Sequence, residues 1–274
     1  MPALNSIAAD KLLRLIGTPN TPLLIDVREE PSGQLVPGAV QQPTALVEQW
    51  GRTFNGRSVV VIDEDGESAG QGVAAWLRSD GINAETLEGG HAGWRAAGLP
   101  LVSLDRLPRR DADGRTVWVT RARPKVDRIA CPWLIRRFVD PNARFLFVPP
   151  AEALAVAERF GAAPFDIADE SVFWSHRADR CTFDLMVAEF GLGGMPAIEH
   201  LAMIVRGADT ARPDIVPEAA GLLAISLGLS RMHADDLDQL EAGMPIYDAL
   251  YRWCRDARSE THDWTAHQPR EARA

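Results

Sequence analysis

The sequence predicts an α/β domain with a parallel sheet, followed by a mainly helical α+β second domain. Two aliphatic runs, at 22–28 and 58–62, are continuous rather than alternating, which is typical of parallel strands buried on both faces. Segments with helical spacing lie between these runs, and strands that alternate with helices predict a parallel sheet. Beyond residue 151 helical spacing dominates, which predicts a different fold class for the second half.

The predicted elements follow one another in a simple order. In the first domain they are a helix at 8–16, a strand at 22–28, a helix at 44–51, a strand at 58–62 and a helix at 72–78. In the second they are strands at 116–120 and 144–148, a helix that ends near Phe138, and helices at 151–160, 182–190, 196–205, 217–227, 234–242 and 245–255.

A polar segment with Pro and Gly at 103–115 is predicted to link the two domains. The predicted domains are therefore 1–102 and 116–257, and 258–274 form a polar tail. A chain of 274 residues is long enough for two cores of ordinary size.

Composition limits the partners. The formal net charge is −9 and the pI is about 5.2, so we expect neither nucleic acid nor anionic membranes to attract this chain. The first residues lack the pattern of a secretory signal and no apolar run reaches membrane-spanning length, which predicts a cytoplasmic protein. The three cysteines are odd in number and far apart, which favours reduced thiols.

Four short segments, at 26–28, 36–39, 75–82 and 87–94, occur in an order and spacing that resemble a single rhodanese domain over roughly residues 5–102. In that family a cysteine begins the loop after the central strand and carries sulfur as a persulfide. Asp63 occupies this position here, and a carboxylate cannot act as a thiolate. The resemblance therefore predicts an inactive sulfurtransferase domain that serves as a docking module for a protein partner.

Five longer segments, at 121–138, 164–167, 181–184, 204–210 and 247–251, resemble the C-terminal domain of ChrB-type chromate-resistance proteins over about residues 118–254. The resemblance implies a part in chromate resistance or in its regulation. In ChrB-type regulators a DNA-binding part precedes this domain, whereas the rhodanese-like domain takes that place here.

A group of cations precedes a predicted helix start, where backbone amides already favour anions, and we expect these side chains to bind a small oxyanion: Arg121, Arg123, Lys125 and Arg128. Cys131 precedes Pro132, which suits the first turn of a helix, so its thiol is a candidate for a lowered pKa. The alternative is that Cys131 belongs to the core and that the arginines pair with acidic neighbours.

A second group combines imidazole, thiol and carboxylate, which are ligands for a divalent metal such as zinc, iron or manganese: His176, Cys181, Asp184 and Asp209. We expect His176 and Asp184 to face each other across one pocket. The alternative is that Cys181 and Asp184 cap a helix.

The leading hypothesis is a chromate-resistance accessory protein that binds an oxyanion or metal ion. Two alternatives stay open, a metal-dependent or thiol-redox enzyme and a ChrB-like transcription regulator.

Overall fold

The computed structural model describes residues 5–29 and 33–260. The elements of the first domain are, in chain order, β1 (Ser6–Ile7), α1 (Ala9–Leu15), β2 (Leu23–Asp26), β3 (Gln34–Leu35), β4 (Ala39–Gln41), α2 (Val47–Gly51), β5 (Ser58–Ile62), α3 (Ser68–Ser79), β6 (Asn83–Leu87), α4 (Gly90–Ala96) and β7 (Val102–Ser103). Five strands form a parallel sheet in the order β1-β6-β5-β2-β4, which confirms the predicted fold class, and β3 pairs with β7 in a separate antiparallel ladder.

Both faces of this sheet are buried. Ile25 and Val61 pack with α2 and α3 on one face, whereas Leu24 and Val60 belong to the main core of the molecule on the other. Successive side chains of a strand point to opposite faces, so a strand covered on both sides must be apolar at every position. This explains the continuous aliphatic runs that predicted the strands.

The second domain is mainly helical, as predicted. Its elements are β8 (Val117–Arg121), α5 (Asp127–Leu134), β9 (Arg144–Val148), α6 (Ala153–Phe160), β10 (Ala163–Pro164), α7 (Thr182–Glu189), α8 (Pro196–Asp209), α9 (Glu218–Met232) and α10 (Asp236–Asp256). The helix α5 continues as a π-helical turn over Ile135–Val139. Its three strands form a parallel sheet in the order β10-β8-β9.

The two domains share one hydrophobic core. Gly17 lies so close to Phe138 and Tyr251 that a Cβ would clash with both rings, and Gly38 donates a backbone hydrogen bond of 2.6 Å to the carbonyl of Phe138. Within the segment predicted as a linker, Leu104 and Leu107 pack against this core. The predicted domain boundaries stay predictions, and the predicted tail lies outside the described residues from residue 261 onward.

The helices predicted at 234–242 and 245–255 are a single helix, α10, with Pro245 inside it. A proline in a helix interior costs roughly 3 kcal/mol because it removes a hydrogen bond and crowds the preceding turn. The same helix buries Leu240, Met244, Tyr247 and Tyr251, and this packing outweighs the cost. Among the described residues, the structure contains no helix that combines the length and the apolar character needed to cross a membrane.

Candidate functional site

The candidate site lies where β8 ends and α5 begins. The connecting loop holds two residues other than glycine with positive φ, Arg123 at 58° and Val126 at 34°. Positive φ is costly for a β-branched residue such as valine. The backbone of Val126 is held on both sides, since its N–H donates to Ser226 Oγ and its carbonyl accepts from Tyr247 Oη, both at 2.8 Å. Contacts from α9 and α10 thus hold the strained loop in place.

Three carboxylates converge on one nitrogen of His176. Its Nε2 atom lies 3.5 Å from Asp127 Oδ2, 3.2 Å from Asp166 Oδ1 and 3.2 Å from Asp209 Oδ2. Asp127 begins α5, Asp209 ends α8, and Asp166 follows β10 with a φ of 49°. The site therefore joins four parts of the second domain.

The carboxylates raise the pKa of His176 to about 12, because hydrogen bonds with Asp127, Asp166 and Asp209 favour the imidazolium and outweigh burial. Without another cation in the site, His176 is therefore protonated at neutral pH. A metal ion that binds here has to displace this proton, since only a deprotonated imidazole is a ligand.

Asp127 is completely buried and also caps a neighbouring helix. Its Oδ2 accepts from the N–H of Thr182 at 2.7 Å and its Oδ1 from that of Phe183 at 3.1 Å, which are the first amides of α7. Burial raises its pKa to about 6, with further contributions from Asp209 and Asp166, whereas His176 opposes the shift.

The environment of Asp166 favours its charged form, unlike that of Asp127, because two guanidinium groups contact its carboxylate. Arg121 and Arg128 each lie 3.1 Å from Asp166 Oδ2. Burial opposes ionisation of Asp166, but the hydrogen bond from His176 and the charges of both arginines outweigh it and lower the pKa. Asp166 is therefore ionised at neutral pH, with Oδ1 directed toward His176.

The group formed by Asp127, Asp166 and His176 offers three ligand atoms within 4.8 Å of one another, and the described residues contain no other such group. Carboxylate oxygen and imidazole nitrogen together suit zinc, iron or manganese. Asp209 approaches the same nitrogen but lies outside this group, so it would have to move toward the ion to supply a fourth ligand. The arrangement thus fits a divalent metal ion, with most of its ligands already held by neighbouring groups.

The sequence prediction for this cluster was partly wrong. Asp184 and Cys181 form a capping box at the start of α7, in which Asp184 Oδ2 accepts from the Cys181 N–H at 3.1 Å. Asp184 also pairs with Arg206 at 3.3 Å. His176 therefore faces Asp127 and Asp166 instead of Asp184, and the helix-cap alternative describes Cys181 and Asp184 correctly.

The sequence reasoning missed Asp127 and Asp166, although both lie in segments that carry the family resemblance. A usable signal was present, since each aspartate follows a strand of one parallel sheet, β8 and β10. The carboxyl ends of parallel strands meet at one edge, where polar side chains form sites.

The predicted cluster of four free cations is also corrected. Arg121 and Arg128 are paired with Asp166, and the guanidinium of Arg123 donates to the carbonyls of Ser230 and His233 at the end of α9. Guanidinium groups satisfied in this way are poor first contacts for an anion. Within the described residues, the exposed Lys125 is the member of the cluster for which no such partner is found.

Cys131 is a buried thiol in the second turn of α5, and the helix already begins at Asp127. Its Sγ lies 3.8 Å from Asp127 Oδ1. Burial raises the pKa of Cys131 well above its usual value, and the charge of Asp127 adds to the effect. The prediction of a lowered pKa at a helix N-cap is therefore wrong, and the core alternative holds for Cys131.

In the first domain, the carboxylate of Asp63 lies inside the loop that follows β5. Its Oδ1 accepts from the N–H of Gly66 and its Oδ2 from that of Gly70, both at 2.7 Å. A Cβ at Gly70 would lie 2.8 Å from this carboxylate, so the helix α3 can approach only because residue 70 is glycine. Both oxygens of this carboxylate are therefore held by backbone amides of its own loop and helix.

Comparison with known proteins agrees with both halves of the chain. The rhodanese-like domain family matches residues 8–97, and the family described as ChrB, C-terminal domain, matches residues 118–254, which is half of the chain. Protein ChrB of Cupriavidus metallidurans is 34% identical over 163 residues, which is 56% of this chain and 46% of that protein. The match therefore covers only about half of that relative's length.

Solved structures similar to the first domain include a rhodanese-related protein from Thermoplasma volcanium, with 25% identity and a TM-score of 0.33 over 37% of this chain and 100% of that one. A rhodanese-like domain protein from Staphylococcus aureus has 26% identity and a TM-score of 0.31 over 33% of this chain and 91% of that one. The second domain is preceded by a rhodanese-like domain. Through this second domain, the chain belongs to the ChrB C-terminal domain family.

Proposed function

We propose that this chain is a chromate-resistance accessory protein whose second domain binds a divalent metal ion through Asp127, Asp166, His176 and Asp209. The observation that carries the proposal is the convergence of three carboxylates on one imidazole nitrogen within 3.5 Å. Three carboxylates so close repel one another, and a single proton on His176 is a weaker compensation than a divalent cation.

The neighbouring groups support a metal site because they hold the ligands in fixed orientations. The amides of α7 fix Asp127, and Arg121 with Arg128 fix Asp166. Such supporting contacts orient metal ligands and raise the affinity of a site. They also leave one face of the cluster open, since the His176 side chain is 40% exposed.

An anion has a place beside this metal. A cavity of about 350 Å³ is lined by Arg121, Lys125, Arg128, His176 and Asp209. When a divalent cation replaces the single proton of His176, the charge of the site rises by one unit, which favours an anionic ligand. Lys125 is then the side chain that pairs with a small oxyanion such as chromate or sulfate.

The test is the metal content of protein purified without chelator. We expect about one ion per chain in the wild type and a loss of at least roughly tenfold in affinity for His176→Ala, because this removes a ligand. His233→Ala is the matched control, since His233 belongs to no group of metal-ligating side chains in the described residues. Equal metal content in wild type and His176→Ala would contradict the proposal.

The anion part has a separate readout. Sulfate binding, followed by calorimetry on the metal-loaded protein, should weaken about tenfold in Lys125→Ala if one charge-assisted contact is lost. Metal content should not change in this variant. Sulfate affinity equal to that of the wild type would remove the anion from the proposal and leave the metal site intact.

A further inference from the structure

The outer edge of β9 is unpaired. Arg144 donates its N–H to the Thr116 carbonyl at 2.9 Å, and the Val148 carbonyl accepts from the N–H of Ala122 at 2.7 Å. Every second residue of β9 therefore turns its backbone toward β8, and Phe145 and Phe147 turn theirs outward. Within the described residues, no strand is hydrogen-bonded to this side of β9.

An apolar groove of about 710 Å³ runs along this edge. Val156 and Phe160 of α6 form one wall, and Leu237 at the start of α10 forms the other. Phe160 is 63% exposed and Leu237 is 49% exposed, and because both line one groove they form a patch rather than isolated exposed side chains. An unpaired strand edge beside exposed apolar residues is a template for pairing with another strand.

The two ends of the groove carry opposite charges. At the start of β9, no carboxylate of the described residues pairs with the exposed side chain of Arg144. At the other end lie Asp235 and Asp236, which form hydrogen bonds with backbone amides and have no cationic partner among the described residues. The contact between Asp236 and the N–H of Arg123 places this acidic end beside Val148.

We propose that this face pairs with the same face of a second copy of the chain, through antiparallel contact between the two β9 strands. In a two-fold arrangement centred on Leu146, Phe145 lies opposite Phe147 of the second copy, and the two exchange both of their outward backbone hydrogen bonds. Arg144 then lies beside the acidic end of the other groove. The pairing thus satisfies the free backbone groups and both charged ends together.

Pairing with a second copy explains the opposite charges at the two ends of the groove better than binding of an unrelated peptide does. A closed two-fold dimer requires a surface complementary to itself, with each basic end meeting an acidic end. This groove has that arrangement, since Arg144, which has no carboxylate partner among the described residues, begins the five-residue strand and Asp235 and Asp236 lie beside its other end. Asp111 and Arg115 of the same groove neutralise each other. The pairing would also remove the exposed Phe160 side chain of each copy from water.

The experiment is sedimentation equilibrium of the full chain over a range of concentrations. We expect a dimer for the wild type, and at least about tenfold weaker association for Phe160→Asp, which places a charge in the apolar contact. Arg144→Glu should weaken association by a similar factor because it creates like charges opposite each other. Ile225→Asp is the matched control, because Ile225 is 48% exposed on α9 and does not line the groove.

Hydrogen exchange gives a second readout that does not depend on a substitution. The amides of Phe145 and Phe147 should become more protected as the protein concentration rises, because they enter the new ladder. A wild type that stays monomeric at about 100 µM, well above the Kd of a specific dimer, overturns the proposal. So does a dimer that Phe160→Asp leaves intact, or one that Ile225→Asp dissociates instead.

Discussion

Asp63 in the first domain and Asp127 in the second are both buried carboxylates that accept hydrogen bonds from backbone amides in or just before the first turn of a helix. Both oxygens of Asp63 are satisfied by the amides of Gly66 and Gly70. Asp127 also accepts from two backbone amides, but it lies within 3.5 Å of His176 as well. Two further carboxylates contact the same nitrogen of His176. Backbone donors therefore close the first site, whereas cationic side chains balance the three carboxylates of the second, and the proton on His176 is a charge that a metal ion can replace.

This difference shows why a buried carboxylate is not by itself a functional signal. A helix N-terminus can hold one carboxylate without any other partner, since its amides and dipole both favour negative charge. Three carboxylates cannot share such a solution, because their mutual repulsion requires a cation. Asp63 therefore has a structural role, whereas we propose a binding role for the cluster in the second domain.

The largest expected difference is between this protein and an active sulfurtransferase, in the rate of sulfur transfer. Wild-type protein should produce thiocyanate from thiosulfate and cyanide no faster than the uncatalysed reaction, because Asp63 cannot form a persulfide. We expect Asp63→Cys to restore little turnover, since Glu64, Asp65 and Glu67 oppose a thiolate and an anionic donor. Substantial turnover by this single variant would show that the acidic loop limits activity less than the absence of a cysteine thiol at position 63 does.

The next effect concerns stability in the first domain. Asp63→Ala should lower the free energy of unfolding by about 3 kcal/mol, because the amides of Gly66 and Gly70 both lose a charged acceptor, and Tm should fall by roughly 5–10 °C. Asp65→Ala is the control, since Asp65 is exposed and accepts from a single amide. Metal content should be the same in all three proteins, and a loss of metal in Asp63→Ala would contradict the separation of the two sites.

The smallest effect is a pH dependence in chelated protein. The pKa of His176 is raised in the folded state, so its contribution to stability is complete below its unfolded value of about 6.5 and is lost only as the pH rises through about 12. His176→Ala should therefore lower the Tm at pH 7.5 by roughly 3–6 °C, since about 1–2 kcal/mol of compensation for the carboxylates is lost.

The linkage of His176 alone would make the loss in His176→Ala at pH 5 at least as large as at pH 7.5. We nevertheless expect a smaller loss, because Asp127, the largest cause of the raised His176 pKa, is mostly protonated at pH 5. The pKa of Asp127 is raised to about 6, so protonation of this carboxyl at lower pH relieves the repulsion that the missing imidazolium leaves behind. Thermal melts of both proteins at the two pH values, in the presence of a chelator, measure this difference. An equal loss at pH 5 and pH 7.5 would indicate that His176 acts through packing alone.

The sequence by itself determined the parallel strands and the helical majority of the second half, because local periodicity records which side chains face a core. The replacement of the sulfur-carrying cysteine by Asp63 stays a prediction from the family resemblance. Only the tertiary structure decided that Asp127 and Asp166 meet His176, and that Asp184 instead caps a helix. Periodicity carries no information about which distant element supplies the other half of a contact. That choice depends on how the ends of β8, β10 and α8 pack together.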